Sequence, residues 1–189
     1  MEKELVSTQP PFLTTLRRTA MDRFAELGFP TPAMENWKNT DVGPVARTAY
    51  SRSTTEAKGI DSQVLSPYFV GDFPRVVLVN GRFSASLSSL HELPVKVDVK
   101  SLSDALRQTP DRLMSYWDQT GHYDADAFVL LNTAFLEDGV LIHVPENQVV
   151  DQPLHLIHVA APAEEDRIFH PRILITVGRN SEVTVIEHF

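Results

Sequence analysis

The chain has 189 residues, 42% hydrophobic and 22% charged, with a formal net charge of −8 and no cysteine. Such a length and composition suit one soluble globular domain, or two small ones, with a real hydrophobic core. The negative balance argues against a general nucleic-acid or anionic-membrane binder, which needs clustered Lys and Arg, and the missing thiols remove disulfides, thiolate nucleophiles and thiolate metal ligands.

The opening stretch, MEKELVSTQPP, lacks the basic-then-apolar layout of a signal peptide. No apolar run approaches the ~18 residues of a membrane span, so the expectation is a cytoplasmic protein. Leu13, Leu16, Ala20, Phe24 and Leu27 recur at spacings of three and four, with Arg17, Arg18, Asp22, Arg23 and Glu26 on other faces. That period predicts an amphipathic helix. Pro10 and Pro11 precede it, Thr14 or Thr15 is the expected cap, and Gly28 followed by Pro30 stops it. Residues 29–44 are too rich in proline for a long helix. Trp37 is read there as a packing residue that anchors the segment to the first helix, rather than as a ligand-stacking ring. Residues 46–66 are polar and read as an irregular connection.

Arg75–Val79 is a short apolar strand, Asn80-Gly81 a hairpin turn because both positions accept positive φ, and Arg82-Phe83 the return strand. Val95–Val99 alternates as a further strand. Ser101 with Asp104 opens a helix through Leu106 in a capping-box-like arrangement, and Leu113, Tyr116 and Trp117 predict another helical turn or two before Gly121. Residues 1–120 are thus expected to form a small mixed helical domain, and 121–189 a strand-rich one.

In that second part four β-branched-rich runs recur: Val140–Val144, Leu154–Val159, Ile173–Val177 and Val183–Ile186. Apolar residues alternate within them, so one face of each is expected to be buried. Gly178-Arg179-Asn180-Ser181 is a candidate hairpin turn; by pattern alone a parallel β-solenoid and an antiparallel sandwich both stay open. The last run carries no helix, proline or charge cluster to cover it, so the strand edge near Val183–Ile186 is a candidate for self-association or pairing with another chain. Glu164-Glu165-Asp166 reads as a solvated loop.

Chemistry-bearing motifs are absent: there is no phosphate loop, no GxGxxG, no GxSxG, no HExxH and no zinc-spaced His/Cys set. His155 and His158 are three apart, which on a strand puts them on opposite faces. His143 and His155 fall on the polar phase of their runs and are expected as solvent-facing or singly hydrogen-bonded imidazoles. His122, Asp124 and Asp126 read as loop and cap residues rather than an acid–base group. No catalytic, cofactor-binding or metal-binding residue is assigned.

Three blocks carry a family resemblance. Leu27-Gly28-Phe29-Pro30-Thr31-Pro32 with Glu35-Asn36-Trp37-Lys38-Asn39-Thr40-Asp41 resembles the start of SufD-type members of the SufB/SufD family. Phe128–Phe135 with Asp138-Gly139-Val140 and Val144-Pro145 is similar to the family's entry into its β-helix. Pro153-Leu154, Arg172–Ile175, Gly178, Asn180-Ser181 and Ile186-Glu187 are similar to its first coils. The resemblance implies an α+β chain in which a small mixed helical N-terminal domain is followed by the first coils of a right-handed parallel β-helix. It implies a non-enzymatic scaffold of the SUF iron–sulfur cluster assembly machinery, working with SufB-like and SufC-like proteins through the full-length protein. The rest of the β-helix and the SufC-docking domain have no counterpart in these 189 residues, so no cluster-binding residue is carried over and no cofactor is expected here. Gly139 and Gly178 are expected at turns, and Asn132 is expected to satisfy backbone groups. A β-helix carbohydrate-active enzyme and a stand-alone interaction module are the alternatives; the first would show clustered acids or bases on successive coils, and these are not visible.

Overall fold

The computed structural model describes residues 10–52, 60–91, 93–119 and 126–189, the side chains of 117–119 excepted. Its helices are α1 (Pro11–Leu27), α2 (Gly43–Arg47), α3 (Ser62–Leu65), α4 (Leu102–Gln108), α5 (Pro110–Gln119) and α6 (Ala127–Ala134), with 3-10 turns at Glu35–Trp37 and Ser66–Tyr68. The strands are β1 (Ser51–Arg52), β2 (Arg75–Val79), β3 (Arg82–Phe83), β4 (Asp98–Ser101), β5 (Gly139–Val144), β6 (Leu154–Val159), β7 (Arg167–Ile168), β8 (Arg172–Val177) and β9 (Val185–His188). None of the described helices is long and apolar enough to cross a membrane. The chain divides into two compact units, each drawn from separate stretches of sequence: residues 1–53, 109–136 and 163–170 in one, 54–108, 137–162 and 171–189 in the other.

In the first unit α1 packs on α6. The period read from the sequence buries Leu13 and Ala20 of α1, and Leu130 and Leu131 of α6. Neither Thr14 nor Thr15 caps α1. The helix starts at Pro11, whose fixed φ suits the first helical position and whose missing N–H costs nothing there. Gly28 ends it at φ +71, its N–H donating to the Phe24 carbonyl at 2.7 Å. Trp37 packs as expected but on a different partner: its ring lies 5.4 Å from that of Phe128 in α6, and Phe29 bridges Phe24 and Phe128. Asp126 caps α6 by accepting from the Phe128 and Val129 N–H groups. His122 and Asp124 lie outside the described residues. The Glu164–Asp166 stretch is exposed, yet it also binds: Ser51 donates to Glu165 through its hydroxyl and to the Asp166 carbonyl through its N–H, each at 2.9 Å, where β1 meets β7 in parallel.

The second unit holds two mixed sheets, ordered β3-β2-β6-β9 and β4-β5-β8. In the first, β2, β6 and β9 run parallel and β3 joins antiparallel. In the second, β5 and β8 are parallel and β4 joins antiparallel. The α+β class holds; a parallel β-helix is not displayed, because the antiparallel β3 and β4 make both sheets mixed. Val76, Leu78, Val140, Ile142, Leu154 and Leu156 form one core drawn from both sheets, each contributing roughly 1.5–3 kcal/mol by leaving water.

Several edges move relative to expectation. The strand expected over 95–99 spans Asp98–Ser101, and Val95 is fully exposed in the preceding turn. The one expected over 183–186 spans Val185–His188. Gly178–Ser181 does not close a hairpin, since β8 and β9 belong to different sheets. Asn80 and Gly81 take φ +49 and +78 and make the expected tight turn between β2 and β3. Ser101 accepts from the Asp104 N–H at 3.2 Å, the expected cap of α4.

Asp138 and Gly139 fix where β5 begins. Asp138, 6% exposed, accepts from the Ser101 hydroxyl at 2.8 Å, the Ser103 N–H at 3.0 Å and the Phe83 N–H at 3.1 Å. Gly139 sits at φ +148, and a Cβ there would meet the Arg172 carbonyl oxygen at 1.9 Å. It is therefore a close-approach position inside a strand rather than a simple turn glycine. Gly139→Ala is expected to destabilise the chain by roughly 3 kcal/mol or more, read from urea unfolding. Gly28→Ala, where a Cβ meets nothing within 4 Å, is expected to cost about 1–3 kcal/mol, because φ +71 with ψ −176 is backbone that is essentially glycine's alone.

Candidate interaction edge

His143 on β5 and His155 and His158 on β6, singled out in the sequence, lie on the strands that pair with the two sheet-ending strands, β8 and β9. Parallel pairing keeps partners on one face, so Ile175 and Val177 share the face of Ile142 and Val144, with which they are in register. Ile142 and Val144 are fully buried. Ile175 and Val177 are 39% and 47% exposed, because β8 has β5 on one side and no described strand on the other. An apolar core pattern thus continues onto an uncovered edge. The structure overturns the expected burial of Ile175 and Val177, and edge position is the physical reason.

The connection after β5 stacks on the connection after β8 in the same register. The Gly178 N–H donates to the Val144 carbonyl at 2.8 Å, and the Asn147 N–H to the Arg179 carbonyl at 2.9 Å. Asn147 and Asn180 both take left-handed backbone, φ +57 and +55, and the Asn180 amide nitrogen donates to the Asn147 side-chain oxygen at 3.2 Å. Ser181 receives the Gln148 N–H and donates to the Pro145 carbonyl. At Gly178 a Cβ would lie 2.4 Å from the Glu146 nitrogen, so only glycine lets the two connections approach this closely.

Histidines tie the same strands together. His143 Nδ1 and Thr176 Oγ1 are 2.8 Å apart across β5 and β8. His158 Nε2 lies 2.8 Å from Glu187 Oε1 across β6 and β9, and its ring stacks on Phe189 at 4.5 Å. His155 and His158 do face opposite sides of β6. His155 departs from expectation, however: it is 1% exposed, with its Nδ1 3.4 Å from the Val70 N–H, because residues 60–70 cover that face. Burial, then the neighbouring His188 and then Arg75, hold its pKa below the usual imidazole value.

Among the described residues no group of three or more His, Asp or Glu is placed to hold a metal ion. Asn132 lies in α6. The arrangement offers backbone donors and acceptors, apolar side chains and imidazoles along two strand edges, groups suited to pairing with another chain. The stacked asparagines were within reach of the sequence: Val144-Pro145-Glu146-Asn147 and Val177-Gly178-Arg179-Asn180 repeat thirty-three residues apart.

Residues 1–156 match the family model described as the SufBD protein N-terminal region. The whole chain is 25% identical over 191 residues to an iron–sulfur cluster assembly SufBD family protein of Synechocystis sp., covering 42% of it. It is 21% identical over 183 residues to the chloroplastic protein ABCI7 of Arabidopsis thaliana, with 94% of this chain and 38% of that protein aligned. The chain therefore spans about two fifths of the length of these curated relatives.

Asn147→Val and Asn180→Val are each expected to cost roughly 1–2 kcal/mol, since β-branched residues resist left-handed backbone. The corresponding glycine variants should lose less in urea unfolding. Glu187→Gln should cost less than about 1 kcal/mol, because its partner bond to His158 is half-open to water.

Proposed function

This chain belongs to the SufB/SufD family, and from that premise we propose that it serves iron–sulfur cluster assembly as the N-terminal part of a SufD-type scaffold. The scaffold is non-catalytic and contributes to a complex with SufB-like and SufC-like proteins. The observation that carries this reading is the continuation of the core pattern onto β8: Ile175 and Val177 are in register with buried Ile142 and Val144 yet uncovered. A surface of this kind is suited to being covered by protein.

The alternation of β5, β6, β8 and β9 between two sheets, with stacked connections, is what the first coils of a right-handed parallel β-helix would contribute. Further strands would lie on β8 and β9 and bury Ile175 and Val177. With no cysteine to supply thiolates, this stretch positions proteins, and the iron–sulfur cluster is cargo held by ligands from elsewhere in the assembly.

The test is co-purification of the full-length protein, and separately of these 189 residues, with SufB-like and SufC-like partners, with iron and sulfide quantified in the eluate. The expected result is that the full-length protein retains both partners while the 189 residues alone retain neither the SufC-like partner nor iron. A full-length protein that binds neither partner would overturn the reading.

A further inference from the structure

We propose that His155 is a proton-operated latch that holds residues 60–70 down over the outer face of the four-stranded sheet, releasing them and the apolar surface beneath when it is protonated. The inference does not depend on the scaffold reading. It starts from a face that the alternation of strand residues does not reveal. Leu65, Val77 and Ile157 form a second buried cluster on the side of β2 and β6 away from the main core, with Ile60 and Phe69 packed against it. The cover is built from α3, four residues long, and a three-residue 3-10 turn. Helices this short have little stability of their own, so the cover stays in place only through its contacts.

Three of those contacts are visible. Leu65 is buried against Val77 and Ile157. The Arg75 guanidinium lies over the Phe69 ring, 4.2 Å from its centroid. The Val70 N–H donates to His155 Nδ1 at 3.4 Å. The last of these requires a neutral imidazole with its proton on Nε2, and Nε2 is buried with no hydrogen-bond partner among the described residues.

Of the groups around His155, Arg75 and His188 disfavour a second positive charge. From β2, Arg75 stands opposite it in the strand register. From β9, the His188 ring stacks on it at 5.8 Å, and from the cover the Tyr68 ring meets His188 edge-on at 6.1 Å. The acid next to His188 in sequence, Glu187, is engaged by His158. Protonation at Nδ1 would replace an acceptor by a donor facing the Val70 N–H, and would place an uncompensated cation beside Arg75.

Burial and these neighbours lower the folded-state pKa of His155. The closed cover's contribution is therefore complete above the free imidazole value of about 6.5 and is lost as pH falls below that toward the lowered folded value. Opening would uncover the Leu65, Val77 and Ile157 face. That face adjoins an apolar groove of about 400 Å³ reaching Tyr68, His188 and Phe189.

The experiment is hydrogen exchange of the intact chain at pH 8 and pH 5, corrected for intrinsic exchange, comparing amides of residues 60–70 with those of β5. Protection of 60–70 is expected to fall at least about tenfold relative to β5 at the lower pH. His155→Gln, which cannot titrate and keeps an acceptor for Val70, should remain protected at pH 5. His188→Gln removes the neighbour that, after burial, most lowers the His155 pKa; protonation is then better tolerated with the cover closed, so the loss of protection at pH 5 should be smaller than in the parent chain. Unchanged relative protection of the parent chain at pH 5, or equal loss in parent and His155→Gln, would overturn the latch. Should His155→Gln fail to fold, NMR titration of the His155 ring in the parent chain and in His188→Gln decides: a higher midpoint in the variant supports the latch, and an unmoved one contradicts it.

Discussion

The second unit depends on what happens at Asp138 and Gly139. A buried carboxylate accepting three hydrogen bonds gathers the start of α4, the return strand β3 and the start of β5 at one point. Bonds to a charged acceptor contribute about 1.5–3 kcal/mol each where desolvation is offset this fully. The next residue must be glycine because the Arg172 backbone occupies the space of a side chain. Together the two residues fix the register in which β8 lies on β5 and hence which of its side chains face the core.

From that register the remaining features follow. Once Gly139 pairs with Arg172, Val144 pairs with Val177, and the connections beyond them stack through Asn147 and Asn180. The stack carries the chain onto the other sheet, where β9 lies on β6. The same geometry that orders the turns leaves Ile175 and Val177 uncovered at one edge and the His158–Glu187 pair at the other. Order within the sheets and openness at their edges have one cause.

Much of this was legible in the residues. The first helix, the Asn80-Gly81 turn, the Ser101 cap and the β5 and β6 strands are local patterns, and local patterns survive folding. What escaped depended on contacts distant in sequence. His155 looked exposed because β6 alternation gives it the polar phase, yet a segment eighty-five residues earlier in the chain supplies the Val70 N–H that meets it. Ile175 and Val177 looked buried because they alternate correctly, and edge position cancels what alternation implies. Strand β4 begins three residues later than expected because Pro94 and Val97 close a turn through a backbone hydrogen bond at 2.8 Å. At the edge, residue identity was right and solvent access was not.

The chain's lack of cysteine makes solvent access directly measurable. Single Ile175→Cys and Val177→Cys variants, each carrying the only thiol in the chain, report on edge exposure through their alkylation rates. In the isolated chain both thiols should react readily. In the proposed assembly with SufB-like and SufC-like proteins, both are expected to react at least about tenfold more slowly, as a covered core position would. Equal rates in the two states would mean that the edge stays open in the assembly, and would contradict its assignment as a protein-covered surface.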